Sequence, residues 1–379
     1  MQWTTRIPDR GPARLTISKG RIEAVEPVED APEETFASGG WIDLQINGYG
    51  GINFSDPELD PATLAGILPG IWSSGVTQFL PTLITNTPEA LLRGFERLES
   101  AREADSRFAA SVPGYHLEGP YLSAGPSQGA HRPEYMKDPD WAEFQRFQEA
   151  AGGRIRILTL APEREGAPEF IRRAVDSGVR IALSHTDAEP AVIHRAVEAG
   201  ATLNTHLGNG CPQTIDRHRA PLWAQLSNPL LISGLICDGF HLIPDFVRIV
   251  RRLKGPGGCF LVTDAVHVAG LPPGDYDLAG KPIQLLSSGK VITGNQGSLA
   301  GATVPLHRCL ANFLNQTGCS LNEGLALVCE NPAHILDLPE ITTALQPGQP
   351  ANLVRFTWKD GAIAVQETLL NGETVFHAS

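Results

Sequence analysis

Three short segments of this 379-residue chain carry residue types that bind metal ions: Glu118 in HLEG, His185 in SHTD and His206 in THLG. Two imidazoles and one carboxylate are an established zinc set that leaves a position open for water. A fourth segment, LVTDAVH, carries Asp264. A cation can bring the pKa of water from 15.7 to about 7, and a carboxylate facing that water is placed to take its proton. Such general-base help adds roughly 10²–10⁴-fold. Each residue also has an ordinary reading: a lone histidine is often a hydrogen-bonded core residue, and an aspartate after a strand often caps a helix. What favours chemistry is that all four sit where an apolar run ends.

Those runs are WIDLQING (41–48), GVTQFLPT (75–82), VPGYHLEG (112–119), RIRILTLAPE (154–163), VRIALSHT (179–186), ATLNTHLG (201–208), LLISGLICDG (230–239) and CFLVTDAVH (259–267). Between them lie segments such as PEALLRGFERLESAREA and EPAVIHRAVEAG, whose apolar residues return at helical spacing. Strands alternating with helices predict a parallel sheet, and eight of them close a TIM-like (β/α)8 barrel. Gln45, Asn47, Glu118, His185, His206, Asp238 and Asp264 all fall at or near the C-terminal ends of their runs. In such a barrel those ends converge on one mouth, where the chemistry is done.

The two termini read differently. Residues 13–28 alternate like a hairpin with a turn at Lys19-Gly20, and 351–376 hold similar strands with turns at Asp360-Gly361 and Asn371-Gly372. They are expected to pack together as a small β-sandwich. This gives two units, 1–40 plus 345–379 and the barrel over 41–344.

A net charge of -12 argues against a nucleic-acid partner, although the local cluster Arg217-His218-Arg219 can hold a small anion. No apolar run is long enough to span a bilayer, and the first residues lack the layout of a secretory signal, so a cytoplasmic location is expected. The six cysteines show no CxxC pair and read as reduced, mostly buried thiols. Cys211, close to the candidate site, reads as a packing residue.

Taken in order, WIDLQINGYGG, HLEGPYL, GAHRP, LSHT, NTHLGNG, ICDGFH, VTDA and SLAGAT resemble the amidohydrolase superfamily and, within it, the N-acetylglucosamine-6-phosphate deacetylases. The similarity runs over nearly the whole chain, and HLEGP followed by GAH is its most specific part. Many amidohydrolases carry HxH on the first strand and bind two metals, whereas this chain has Gln45-Ile46-Asn47. The resemblance therefore implies one divalent ion, expected to be zinc. It implies hydrolysis of the acetamide of N-acetylglucosamine 6-phosphate to glucosamine 6-phosphate and acetate, in amino-sugar catabolism.

By the same resemblance Asp264 moves the protons, and His131 shares the charge that grows on the carbonyl oxygen while Ala130 offers its backbone. Asn209 and Gly210 face the phosphate, His241 meets phosphate or sugar, and Leu299, Ala300 and Gly301 close on the sugar. Two arginines stay open for the phosphate: Arg219, in HRAP, matches better than Arg217. The family usually has Asn-Ala-Met where this chain has Asn209-Gly210-Cys211, a departure that bears on preference at the sugar's sixth carbon. The resemblance also implies a homodimer with phosphate contacts near the subunit boundary. An amidohydrolase acting on another N-acyl substrate or an unphosphorylated N-acetyl sugar remains open, as does a catalytically silent barrel that binds sugar phosphate.

Overall fold

The structure, a computed structural model, describes residues 1–56, 58–278, 281–293 and 298–378. Eight parallel strands form its centre: β1 (Trp41–Ile46), β2 (Val76–Ile84), β3 (Tyr115–Glu118), β4 (Ile155–Leu160), β5 (Arg180–Leu183), β6 (Leu203–Asn204), β7 (Ile232–Leu235) and β8 (Cys259–Leu261). Each pairs with the next in chain order, so the eight apolar runs are the staves of the expected barrel. Ile42, Leu44, Leu80, Ile157, Ala182, Leu203, Phe260 and Val262 share one buried cluster. Side chains from strands on opposite sides of a ring can meet only inside it, so this cluster fills the lumen. Cys329, Ala333, Ile335, Leu336 and Ile341 join it and plug the end where the strands begin.

Closure between β8 and β1 departs from a regular ladder. At the lower end, Ile42 donates its N–H to Val328 O at 2.7 Å and Leu261 donates to Leu327 O at 3.0 Å, so a turn is interposed between the two strands. One level up, the Asp43 carboxylate accepts from the Thr263 N–H at 3.2 and 3.3 Å and from its hydroxyl at 2.6 Å. At the mouth, backbone pairing resumes: Asp264 N–H to Gln45 O at 3.0 Å and Asn47 N–H to Ala265 O at 2.8 Å.

The segments read as helical are helices. Pro88–Ala104 opens on Thr87, whose hydroxyl accepts from the Ala90 N–H, and buries Leu91, Phe95, Leu98 and Ala101. Pro190–Glu198 buries Ile193 and Ala196. In both, proline stands at the start of the helix, where no N–H is needed.

The termini join as expected. Strands within 2–39 and 353–377 hydrogen-bond as one seven-stranded sheet, curled so that Gly372 lies against Gly20. Its core includes Trp3, Leu15, Ile17, Ile22, Leu353 and Leu369. All three anticipated turns have both central residues at positive φ: Lys19 and Gly20 (50 and 75°), Asp360 and Gly361 (50 and 75°), Asn371 and Gly372 (50 and 81°). That is the type I′ geometry that matches strand twist.

One element escaped the count of runs. Beyond β8 a four-stranded antiparallel sheet, Gly274–Leu278, Lys281–Leu285, Val291–Thr293 and Ser298–Leu299, folds over the barrel mouth. Val266, Val268, Leu278, Ile283, Leu285 and Val291 form its own small core.

Candidate metal centre and active site

Glu118, His185 and His206 converge. Their ligand atoms all lie within 4.8 Å of one another, and all three side chains are buried. His206 Nε2 is 2.9 Å from Glu118 Oε1, His185 Nε2 is 3.2 Å from the same oxygen, and the two nitrogens are 3.3 Å apart. A tetrahedral ion with ligand bonds of 2.0–2.2 Å has ligand–ligand edges of about 3.3–3.6 Å, close to this triangle. His185 Nδ1 donates to Ser127 O at 2.9 Å, which leaves the Nε2 lone pair facing the centre. Burial pushes the Glu118 carboxyl up, but contacts from His131, His185 and His206 outweigh it and hold the group well below its usual range. The donor set therefore fits a divalent cation. Among the described residues it is the one such group found.

Gln45 and Asn47, which occupy the place of an HxH pair, do not reach the centre as ligands. The Gln45 amide donates to Glu118 Oε2 at 3.1 Å, and the Asn47 amide donates to Asp264 Oδ1 at 2.6 Å. Each steadies a carboxylate through a neutral donor. Asp264 is buried, and that burial pushes its carboxyl up to about 6, opposed by His206, His241 and the Asn47 hydrogen bond. A carboxylate in that range suits proton transfer near neutrality.

His185, His206 and Asp264 have φ of 48, 29 and 53°. Left-handed backbone at a non-glycine residue costs about 1–3 kcal/mol and persists only where the surroundings over-determine it. Here they do. Ser123 N–H donates to His185 O at 3.1 Å, Asn209 N–H to His206 O at 3.0 Å, and Ala302 N–H to Asp264 O at 3.2 Å. The three residues just past their strands are thus locked into one inward turn.

His131 arrives from the long loop after β3. Its Nε2 lies 3.3 Å from His185 Nε2 and 3.9 Å from Glu118 Oε1, while its buried Nδ1 has no partner. Burial, helped by His185, pulls its pKa to about 4. It is a neutral imidazole, able to donate a hydrogen bond from Nε2 at pH 7.

A cavity of about 970 Å³ surrounds these groups. Of the residues expected at the site, Asn47, Glu118, Ala130, His131, His185, His206, Asn209, His241, Asp264, Leu299, Ala300 and Gly301 line it. Asp238 holds His241 from behind, its carboxylate 2.7 Å from the ring Nδ1. Gly210 packs beneath the wall instead, where a Cβ would meet Ser184 Oγ at 1.9 Å. Arg217 and Arg219 are exposed and line no part of the cavity.

Sequence reasoning missed other contributors. Gln213, His267 and the small sheet's Leu278, Ile283 and Thr293 also line the cavity, as does Cys211. Glu163 accepts hydrogen bonds from the Ser123 and Thr186 hydroxyls and from the Asp187 N–H, so it clamps the loops on both sides of His185. Its position at the end of RILTLAPE was a readable signal. By contrast His116, in the same HLEG segment, is a core residue bonded to Leu44 O and Thr159.

The chain can be set beside known proteins. The sequence pattern of the amidohydrolase family matches residues 36–375. The N-acetylglucosamine-6-phosphate deacetylase of Mus musculus is 33% identical over 347 residues, covering 89% of this chain and 83% of that protein. The N-acetylgalactosamine-6-phosphate deacetylase of Escherichia coli O157:H7 is 29% identical over 95% of this chain and 94% of its own. Among solved structures, a mutant N-acetyl-D-glucosamine-6-phosphate deacetylase from Mycobacterium smegmatis, in complex with N-acetyl-D-glucosamine-6-phosphate, superposes with a TM-score of 0.86 at 31% identity. It covers 96% of this chain and 95% of that one.

Proposed function

This chain belongs to the amidohydrolase family, and from that premise we infer that it hydrolyses the N-acetyl group of N-acetylglucosamine 6-phosphate to glucosamine 6-phosphate and acetate. The observation that carries this reading is the convergence of Glu118, His185 and His206 in the same cavity as a buried Asp264. Similarity to deacetylases of this substrate over nine-tenths of the chain supports it.

Glu118, His185 and His206 hold one divalent cation, zinc by its preference for two imidazoles and a carboxylate. When bound, that ion supplies Lewis-acid activation of water and carbonyl. Asp264 takes a proton from the attacking water as the water oxygen bonds to the carbonyl carbon. His131 donates its Nε2–H to the oxygen on which negative charge grows. Asp264 then returns the proton to the amide nitrogen as the C–N bond breaks, because an amine leaves poorly as an anion. Gln45 and Asn47 keep the two carboxylates aimed. Asn209 and His241 hold the sugar phosphate, and Leu299–Gly301 close over it.

The phosphate cation comes from a second copy of the chain. No lysine or arginine among the described residues lines the main cavity, although Arg132 lines a cavity that adjoins it at Ala130 and His131. Apart from Met1, the exposed large apolar side chains all lie between Trp223 and Leu253, among them Ile243, Ile249 and Leu253. An exposed apolar patch of this kind suits a subunit boundary, and Arg217 and Arg219, both exposed, precede its first member Trp223 in the chain. We place the protein in the cytoplasm, where its sugar phosphate substrate is found.

The same lack of a lining cation favours, as a second reading, an unphosphorylated N-acetyl sugar. Acetate release from N-acetylglucosamine with and without its 6-phosphate separates the two. The expected result is turnover strongly dependent on the phosphate and abolished by a chelator. Equal turnover of both sugars removes the phosphate site from the reading.

A further inference from the structure

Asp43 is fully buried and takes no part in the chemistry described above. Its environment is costly: burial pushes its carboxyl up to about 7 in spite of hydrogen bonds from Thr263 and the Gln45 N–H. A buried carboxylate is tolerated only where donors satisfy it, and both oxygens are used here. Oδ1 accepts from the Gln45 N–H at 3.1 Å, and Oδ2 accepts from the Thr263 hydroxyl at 2.6 Å. The Thr263 N–H lies 3.2–3.3 Å from the pair.

Those two partners lead to the two sides of the site. Gln45 grips Glu118 Oε2 through its amide, and its carbonyl accepts from the Asp264 N–H. Thr263 immediately precedes Asp264, and its hydroxyl in turn accepts from the Ala265 N–H at 3.2 Å. The carboxylate therefore stands where the barrel ladder between β1 and β8 is missing, with the interposed 327–328 turn below it and resumed pairing above. Nothing else described bonds to both Gln45 N–H and Thr263.

We propose that Asp43 is a positioning residue: its carboxylate closes the barrel seam and so sets the spacing between the metal-ligand candidate Glu118, held through Gln45, and the proton-transfer candidate Asp264, held through Thr263. Left-handed backbone at Asp264 makes such a brace necessary, because a loosened 263–265 segment would relax toward ordinary φ and swing the carboxylate away. Asp43 lines no part of the cavity, so substrate binding should not feel its loss.

The role rests on the deacetylase reading, and the test has one arm that does not. Asp43→Asn keeps the shape and removes the charge and one acceptor; Thr263→Val removes the hydroxyl alone. In the full-length, metal-loaded protein, Asp43→Asn should lower kcat about 10- to 100-fold, the scale of a small misplacement of reacting groups. KM should stay within about threefold, since no cavity contact is touched. Thr263→Val should give a smaller fall. In the cobalt-substituted protein the visible absorption should shift for Asp43→Asn, reporting a displaced Glu118 without any turnover. Wild-type kcat together with an unshifted cobalt spectrum overturns the proposal, as does a change confined to KM. If the unsubstituted protein fails to release acetate, the deacetylase reading falls and the cobalt spectrum alone decides the role of Asp43.

Discussion

Replacing Asn47 with alanine takes from Asp264 a hydrogen bond that favours its charged form, the 2.6 Å contact to Oδ1. A hydrogen bond to a charged group is worth about 1.5–3 kcal/mol, and 1.36 kcal/mol corresponds to one pKa unit. Asp264 is buried, so solvent screening does not discount this figure. Its pKa should rise by about 1–2 units from the present value of about 6. The direction follows from the proton-accepting role proposed for it: such a carboxylate works only when ionised, so activity should be lost as pH falls through its pKa. Raising that pKa brings the loss to higher pH. A cation at the triad lowers the pKa in both proteins alike, so the displacement between them is the quantity to measure. In a profile of kcat/KM against pH from 5 to 9, the acid limb of Asn47→Ala should lie about one unit or more above the wild type, with the alkaline plateau nearly equal. Well below both pKa values the ratio of the two activities should approach about 10- to 100-fold, a figure set by the displacement alone. An acid limb that does not move would refute the pairing of Asn47 with a proton-transferring Asp264. A plateau lowered at every pH would mean that Asn47 serves substrate binding instead.

Glu118→Gln removes the negative charge from the candidate metal set while keeping its volume. Its affinity for the metal, measured by competition with a chelator, should fall by more than the ~10–100-fold typical of outer-shell changes, and undiminished affinity would move the ion elsewhere. Leu253→Glu places a charge in the exposed apolar stripe, where Leu253 is 60% exposed. Sedimentation should then show a monomer with the fold intact, and phosphate-dependent turnover should drop with it; an unchanged dimer would put the interface on another face.

Much of the architecture is legible in the sequence. Parallel strands buried on both faces must be largely apolar, so stretches such as Ile157–Leu160 and Ile181–Leu183, buried throughout, declare themselves, and a polar residue at a run's end stands out against them. Two-residue turns such as Asn371-Gly372 are equally readable, because few residue pairs tolerate positive φ twice. The small sheet over the mouth was not. Its strands are short, Ser298–Leu299 having only two residues, and their alternation is carried by few apolar side chains. Gln45 and Asn47 could be placed at the mouth, but which carboxylate each would serve could not.

Residue types, their order and the positions where runs end thus pointed to the barrel and to Glu118, His185, His206 and Asp264 as candidates at its mouth from the chain alone, since periodicity and strand termini are local properties. Only the tertiary structure decided that Gln45 serves Glu118 and Asn47 serves Asp264, that Arg217 and Arg219 stay outside the cavity, and that Asp43 spans a broken ladder. The first and last of those are contacts between residues far apart in sequence, and the second is a matter of how the loop lies on the finished barrel. Such contacts depend on ring closure and on left-handed turns at three strand ends, which no local pattern encodes.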